Sequence, residues 1–149
     1  MQKITTCLWF ENRAEEAINF YATVFPNAKI KNVMRNGNAL VSAMVEIHGF
    51  DLMVLNGARE RFNQTHSMMI DCETQAEVDL YWSKLLEGGE PSRCGWLFDK
   101  FGVSWQIVPT RVFRLFSDKD TVKAGRAMQA MMKMIKLDID EIQRAFDGK

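Results

Sequence analysis

The chain has 149 residues, 47% hydrophobic and 26% charged, the size and balance of one globular domain able to bury a core. Its 19 basic and 19 acidic residues cancel, which argues against the clustered positive charge of a broad nucleic-acid footprint. No stretch approaches the roughly 18 consecutive apolar residues of a membrane span.

Met1 to Thr6 runs straight into an apolar strand pattern without the parts of a signal peptide, so a cytoplasmic protein is expected. Thr5 to Phe10 reads as the first strand. Asn12 then offers an N-cap with Glu15 three residues on, the spacing of a capping box. The helix behind it carries Ala14, Ala17, Ile18, Tyr21, Val24 and Phe25 on one face, and Pro26-Asn27 stops it. Period-two segments follow at Ala28 to Met34, Leu40 to Ile47 and Asp51 to Leu55. They are separated by turns at Asn36-Gly37-Asn38 and His48-Gly49. His48 in that turn reads as a surface residue.

The pattern then repeats. Ser67 to Cys72 reads as a strand, Thr74 as an N-cap and Glu77 as its capping-box partner. Val78, Trp82, Leu85 and Leu86 form the stripe, and Gly88-Gly89 the helix stop. Asn12 and Thr74, Glu15 and Glu77, and Phe20 and Trp82 are all offset by 62 positions. A strand from Arg93 to Phe98, a turn around Asp99 to Gly102 and a strand from Ser104 to Val108 complete the second copy. The tail is predicted helical. Asp118 or Asp120 caps a helix with a stripe of Val122, Met128, Met131, Met132 and Ile135. Asp138 with Glu141 caps a last helix through Phe146. Lys123, Arg126, Lys133 and Lys136 line its other faces, a solvated surface before a patch for an acidic partner.

These readings define an α+β chain organised as one domain over 1–149. Module one spans 1–57, a polar linker 58–65, module two 66–110 and a helical tail 111–149. Cys7, Cys72 and Cys94 show no CxxC spacing and read as free thiols of a reducing compartment.

Two runs carry a resemblance. Phe20-Tyr21-Ala22-Thr23-Val24-Phe25-Pro26-Asn27-Ala28-Lys29-Ile30 resembles the PhnB-like proteins. So does the stretch from Cys94-Gly95-Trp96-Leu97 through Phe101-Gly102-Val103-Ser104-Trp105-Gln106-Ile107-Val108-Pro109. These proteins form a branch of the glyoxalase, bleomycin-resistance and extradiol-dioxygenase (vicinal oxygen chelate) superfamily. The resemblance implies paired βαβββ modules forming a cupped mixed sheet, and a homodimer. The branch is also described as similar to 3-demethylubiquinone-9 3-methyltransferase. Methyl transfer gains no support from the residues: the first strand leads into Glu11-Asn12-Arg13-Ala14-Glu15, with no glycine before Gly37 to let a backbone approach a nucleotide-like cofactor.

In metal-dependent superfamily members, four inward-facing side chains, mostly His and Glu, hold a divalent ion. Carried over, the first position falls within Thr5, Thr6 and Cys7, and the second near Met53 with Asn56 just beyond. The third lies around Thr65 to Met68, where His66 is the one good ligand. The fourth is Gln106, where Glu is usual. His66 and Gln106 alone make a weak set, so a divalent metal is not favoured. Trp9 and Trp96 are candidate aromatic walls of a pocket, and Arg35 and Arg93 sit where a guanidinium meets an anionic ligand or a surface carboxylate. The leading expectation is a small-molecule binder without an intact four-ligand centre, whose pocket draws on Cys7, Trp9, Met53, Asn56, His66, Trp96 and Gln106. The alternatives are a metal-dependent lyase, isomerase or dioxygenase with a substituted ligand set, and an interaction protein that uses its tail helix.

Overall fold

The computed structural model describes residues 4–149. It divides into two compact units, the first reaching Arg61 and the second running Phe62–Lys149. The boundary falls inside the stretch read as a linker.

The first unit contains β1 (Thr6–Phe10), α1 (Ala14–Val24), β2 (Lys29–Asn36), β3 (Ala39–Ile47) and β4 (Phe50–Asn56). Its sheet has the order β1-β4-β3-β2, with β1 parallel to β4 and the other pairs antiparallel. The hairpin turns are two residues long, Gly37-Asn38 and His48-Gly49. His48 (φ 48°) and Gly49 (φ 77°) are both left-handed, which matches the twist of the flanking strands. Because strand side chains alternate, Leu8, Phe10, Ala43, Val45, Leu52 and Val54 fall on one buried face. α1 covers that face with Ala14, Ala17, Ile18, Tyr21 and Val24. Each large side chain buried there contributes about 1.5–3 kcal/mol relative to exposure.

The start of α1 departs from the local pattern. Asn12 does not cap it. The N-cap is Arg13, which makes no side-chain cap bond. The Ala14 amide instead donates to Asn56 Oδ1 at 2.9 Å, while Asn56 Nδ2 donates to the Leu40 carbonyl at 2.9 Å. Glu15, the expected capping-box partner, is ion-paired with Arg35. One amide at the end of β4 thus ties the helix start to β3, a cap invisible to short-range spacing because its residue lies 42 positions away.

The second unit repeats the topology with β5 (Met68–Cys72), α2 (Gln75–Leu85), β6 (Glu90–Pro91), β7 (Trp96–Phe98) and β8 (Ser104–Pro109), in the order β5-β8-β7-β6. β5 is parallel to β8. The two four-stranded mixed sheets with their helices make the fold α+β, as expected. Here the local signal holds. Thr74 Oγ1 accepts from the Glu77 amide at 3.2 Å, and the Glu77 carboxylate accepts from the amides of Glu73 and Thr74. Val78, Trp82 and Leu85 are buried as the stripe predicts.

Two boundaries move. α2 ends at Leu85, and the left-handed residue that turns the chain is Gly88. A Cβ at Gly89 would lie 2.2 Å from the Phe98 carbonyl, so the close approach of two backbones requires glycine there. The strand expected from Arg93 begins only at Trp96, because Cys94 (φ 57°) and Gly95 (φ 81°) take the left-handed conformation. The following turn is held by buried Asp99, whose carboxylate accepts from the amides of Phe101 and Val103 and from Trp105 Nε1 at 2.9–3.0 Å.

The tail folds as α3 (Thr110–Phe116), α4 (Thr121–Met131) and α5 (Ile139–Asp147). α3 falls in the stretch read as a helical tail, but no local signal marked its start, since its N-cap is Pro109 and no side chain caps it. Asp120 caps α4 and Asp138 caps α5. The stripe read on α4 holds only in part. Ala124 and Ala127 face inward, and Val108, Val112, Ala127, Met134, Leu137 and Ile142 form a small core against which Met131 packs. Val122, Met128, Met132 and Ile135 are exposed. Three of the tail cations have internal partners. Arg126 donates to the carbonyls of Ala145 and Phe146, Lys136 pairs with Asp79, and Lys123 lies over the Phe146 ring.

Asn56→Ala is expected to lower stability by about 1–3 kcal/mol, having removed a helix cap and a buried carbonyl's donor together. Asn12→Ala is expected to change it by less than about 0.5 kcal/mol. Urea denaturation of both variants checks this, and a larger cost for Asn12 would restore the local capping box.

Candidate functional site

The sequence-predicted residues divide between the units. In the first, Cys7 and Met53 are direct partners across β1 and β4, Met44 lies opposite Met53 on β3, and Lys31 opposite Met44 on β2. This row lies on the sheet face turned away from α1. Burial raises the Cys7 thiol above its ordinary pKa. The Lys31 ammonium is paired with Glu46 and with Asp51. Trp9 stands half exposed and donates from Nε1 to the Asn56 carbonyl at 3.0 Å. Asn56 itself spends both ends of its side chain on the helix start and on β3. Its side chain thus serves the framework of the first unit.

In the second unit Gln106 sits between Met69 on β5 and Trp96 on β7, all three in one cross-strand row. Its Nε2 donates to Ser67 Oγ at 2.8 Å, and among the described residues no donor reaches its Oε1. Ser104 Oγ, two residues earlier on β8, is buried and among the described residues has no hydrogen-bond partner. His66 is exposed in the bend before β5.

A divalent centre needs three or four oxygen or nitrogen donors converging on one point. Within neither unit do the described residues bring together three His, Cys, Asp or Glu side chains able to do so. The first unit presents a thiol beside thioethers, and the second an amide tied to Ser67 and an exposed imidazole. This donor set does not fit the four-ligand centre of the metal-dependent superfamily members.

What the second unit does form is a cleft. Its volume is about 310 Å³, and Gln64, Ser92, Arg93, Cys94, Trp96 and Met132 line it. Met132 arrives there because the chain beyond α4 runs beside the 93–95 turn. The Cys94 amide donates to the Met134 carbonyl and the Gly95 amide to that of Ile135, both at 2.8 Å. A Cβ on Gly95 would lie 2.8 Å from the Ile107 carbonyl and 3.0 Å from Leu137 Cγ, so only glycine permits this docking. The cleft lining combines a guanidinium, a hydroxyl and an amide with an indole and two sulfurs. Of the two arginines singled out from the sequence, Arg35 is spent on Glu15, whereas Arg93 borders the cleft. Of the expected pocket residues, only Trp96 lines it. Gln64, Ser92 and Met132 gave no sequence signal, being brought together by a left-handed turn and a tail contact.

Each unit has the βαβββ order with its first and last strands parallel, the module of glyoxalase and bleomycin-resistance proteins. The chain belongs to the family described as 3-demethylubiquinone-9 3-methyltransferase, whose model matches residues 2–108. The PhnB protein of Bacillus cereus is 32% identical, superposes with a TM-score of 0.68, and is covered over 73% of this chain and 100% of its own. A Pseudomonas aeruginosa protein has 19% identity, a TM-score of 0.65 and coverage of 73% and 98%. The fosfomycin resistance protein FosX of Listeria monocytogenes has 13% identity, a TM-score of 0.56 and coverage of 73% and 93%; these last two likenesses are of fold. No curated protein matches the chain. The family match ends at Val108, so the tail that brings Met132 to the cleft lies beyond it. No helix among the described residues is long and apolar enough to cross a membrane.

The three thiols differ sharply in their settings. Cys7 is exposed, Cys94 partly so, and Cys72 buried, with its pKa pushed up to about 12 by burial and by the nearby Glu77 and Asp71 carboxylates. A disulfide reagent at pH 8 is therefore expected to modify Cys7 and Cys94 in the folded protein, and Cys72 only after denaturation. Rapid native modification of Cys72, read by peptide mass mapping, would contradict this burial.

Proposed function

We propose that the chain binds a small organic anion in the cleft of its second unit. One observation carries the reading: Arg93, Ser92 and Gln64 border the same cleft as the Trp96 ring. A guanidinium supplies planar, permanently charged donors for a carboxylate or phosphonate, while an indole gives apolar area to the ligand body. The volume lies at the small end of ligand pockets, which suits a compact molecule. Nothing in this account requires a divalent ion. A cytoplasmic homodimer belongs to the same reading, supported by exposed Val122, Met128 and Ile135 on the tail, and sedimentation velocity reads it directly.

Calorimetric titration with phenylphosphonate, benzoate and neutral benzamide tests the assignment. Arg93→Gln is expected to weaken both anions tenfold or more, about the 1.5–3 kcal/mol of a charged hydrogen bond, and to leave benzamide unchanged. Trp96→Ala is expected to weaken all three. Anion affinity indifferent to Arg93 would overturn the proposal.

A further inference from the structure

The cleft wall holds a feature that anion binding does not use. Cys94 Sγ and Met132 Sδ lie 3.8 Å apart, although the residues are 38 positions apart in sequence. Both border open space rather than a packed core, since Met132 is 59% exposed and Cys94 lines the cleft. The pair is held from behind by backbone, through the bonds from Cys94 and Gly95 to the Met134 and Ile135 carbonyls. The fold thus holds the two backbones side by side, which keeps both sulfurs within reach of one ion.

We propose that Cys94 and Met132 form a binding site for a soft monovalent metal ion, Cu(I) or Ag(I). Thiolate and thioether donors are soft and suit such ions, and they disfavour hard ions such as magnesium. With metal–sulfur distances of about 2.3 Å, sulfurs at this spacing subtend roughly 110° at the ion, the bent geometry that leaves a third position open. That position faces the cleft, where chloride or a small thiol completes the shell. Binding exchanges the thiol proton for the metal: Cys94–SH and Cu(I) give Cys94–S–Cu and one proton, with no change of oxidation state. Met132 lies in the tail beyond the family match, so the site is a property of this chain's own extension. The inference shares the cleft with the anion reading but does not depend on Arg93.

The fully reduced protein is titrated anaerobically with Cu(I) against bicinchoninate, a coloured Cu(I) chelator. The parent chain is expected to withdraw one equivalent. Cys94→Ser should weaken retention a hundredfold or more and Met132→Leu about tenfold, while Cys7→Ser and Met128→Leu retain copper as the parent does. Met132 is exposed, so its variant keeps the fold and isolates the thioether. Retention unchanged in Met132→Leu, or lost equally in Cys7→Ser, would overturn the site. X-ray absorption of the copper form supplies a second readout, with two or three sulfur or chloride neighbours expected and a nitrogen and oxygen shell contradicting it. A failed copper site leaves the Arg93 anion test intact, and a failed anion test leaves copper retention intact.

Discussion

In each unit the first strand lies parallel to the last, and this constraint organises everything else. Two parallel strands cannot be joined by a tight turn, so the chain must travel between them. It does so through a helix and an antiparallel meander. The helix then covers one face of the sheet, and strand alternation assigns that face its apolar side chains: Leu8, Val54 and Val45 in one unit, Ile107 and Leu97 in the other. The opposite face carries the remaining side chains. Met53 and Gln106 occupy the same place in the two sheets, each on the last strand and opposite Cys7 or Met69 on the first. The duplication read as a constant offset in sequence is thus present again in the strand register.

Most of the framework was legible because it is local. Helix stripes, two-residue turns and the Thr74–Glu77 capping box act over three or four residues, and sequence spacing reports them directly. Asn12 shows where that ends. It has the spacing of a cap, yet Asn56 takes the helix amide, because a partner fixed by a sheet outcompetes one on a free loop. The α4 stripe held only in part for a related reason. Periodicity finds an apolar face but not how its members divide: Ala127, Met131 and Met134 pack around Val108 and Leu137, whereas Met128 and Met132 face outward.

The candidate site was less legible. Superfamily positions gave Cys7, Met53, His66 and Gln106, a set whose chemistry does not fit a divalent centre. The cleft arises elsewhere, where consecutive left-handed residues Cys94 and Gly95 delay the start of one strand and accept the tail alongside. Such a turn is readable at Gly95 but not at Cys94, since a non-glycine residue rarely takes that conformation without support from its surroundings. The tail supplies that support and also a wall of the cleft, so the cleft is built jointly from the family scaffold and from an extension outside it.

The most direct test of this account is a titration of the isotopically labelled chain with phenylphosphonate, followed by amide and side-chain NMR shifts. The account places the largest changes at Gln64, Ser92, Arg93, Cys94 and the Trp96 indole. Changes centred instead on Cys7, Met44 and Met53, with the 92–96 segment silent, would contradict it and move the binding site to the face of the first sheet turned away from α1.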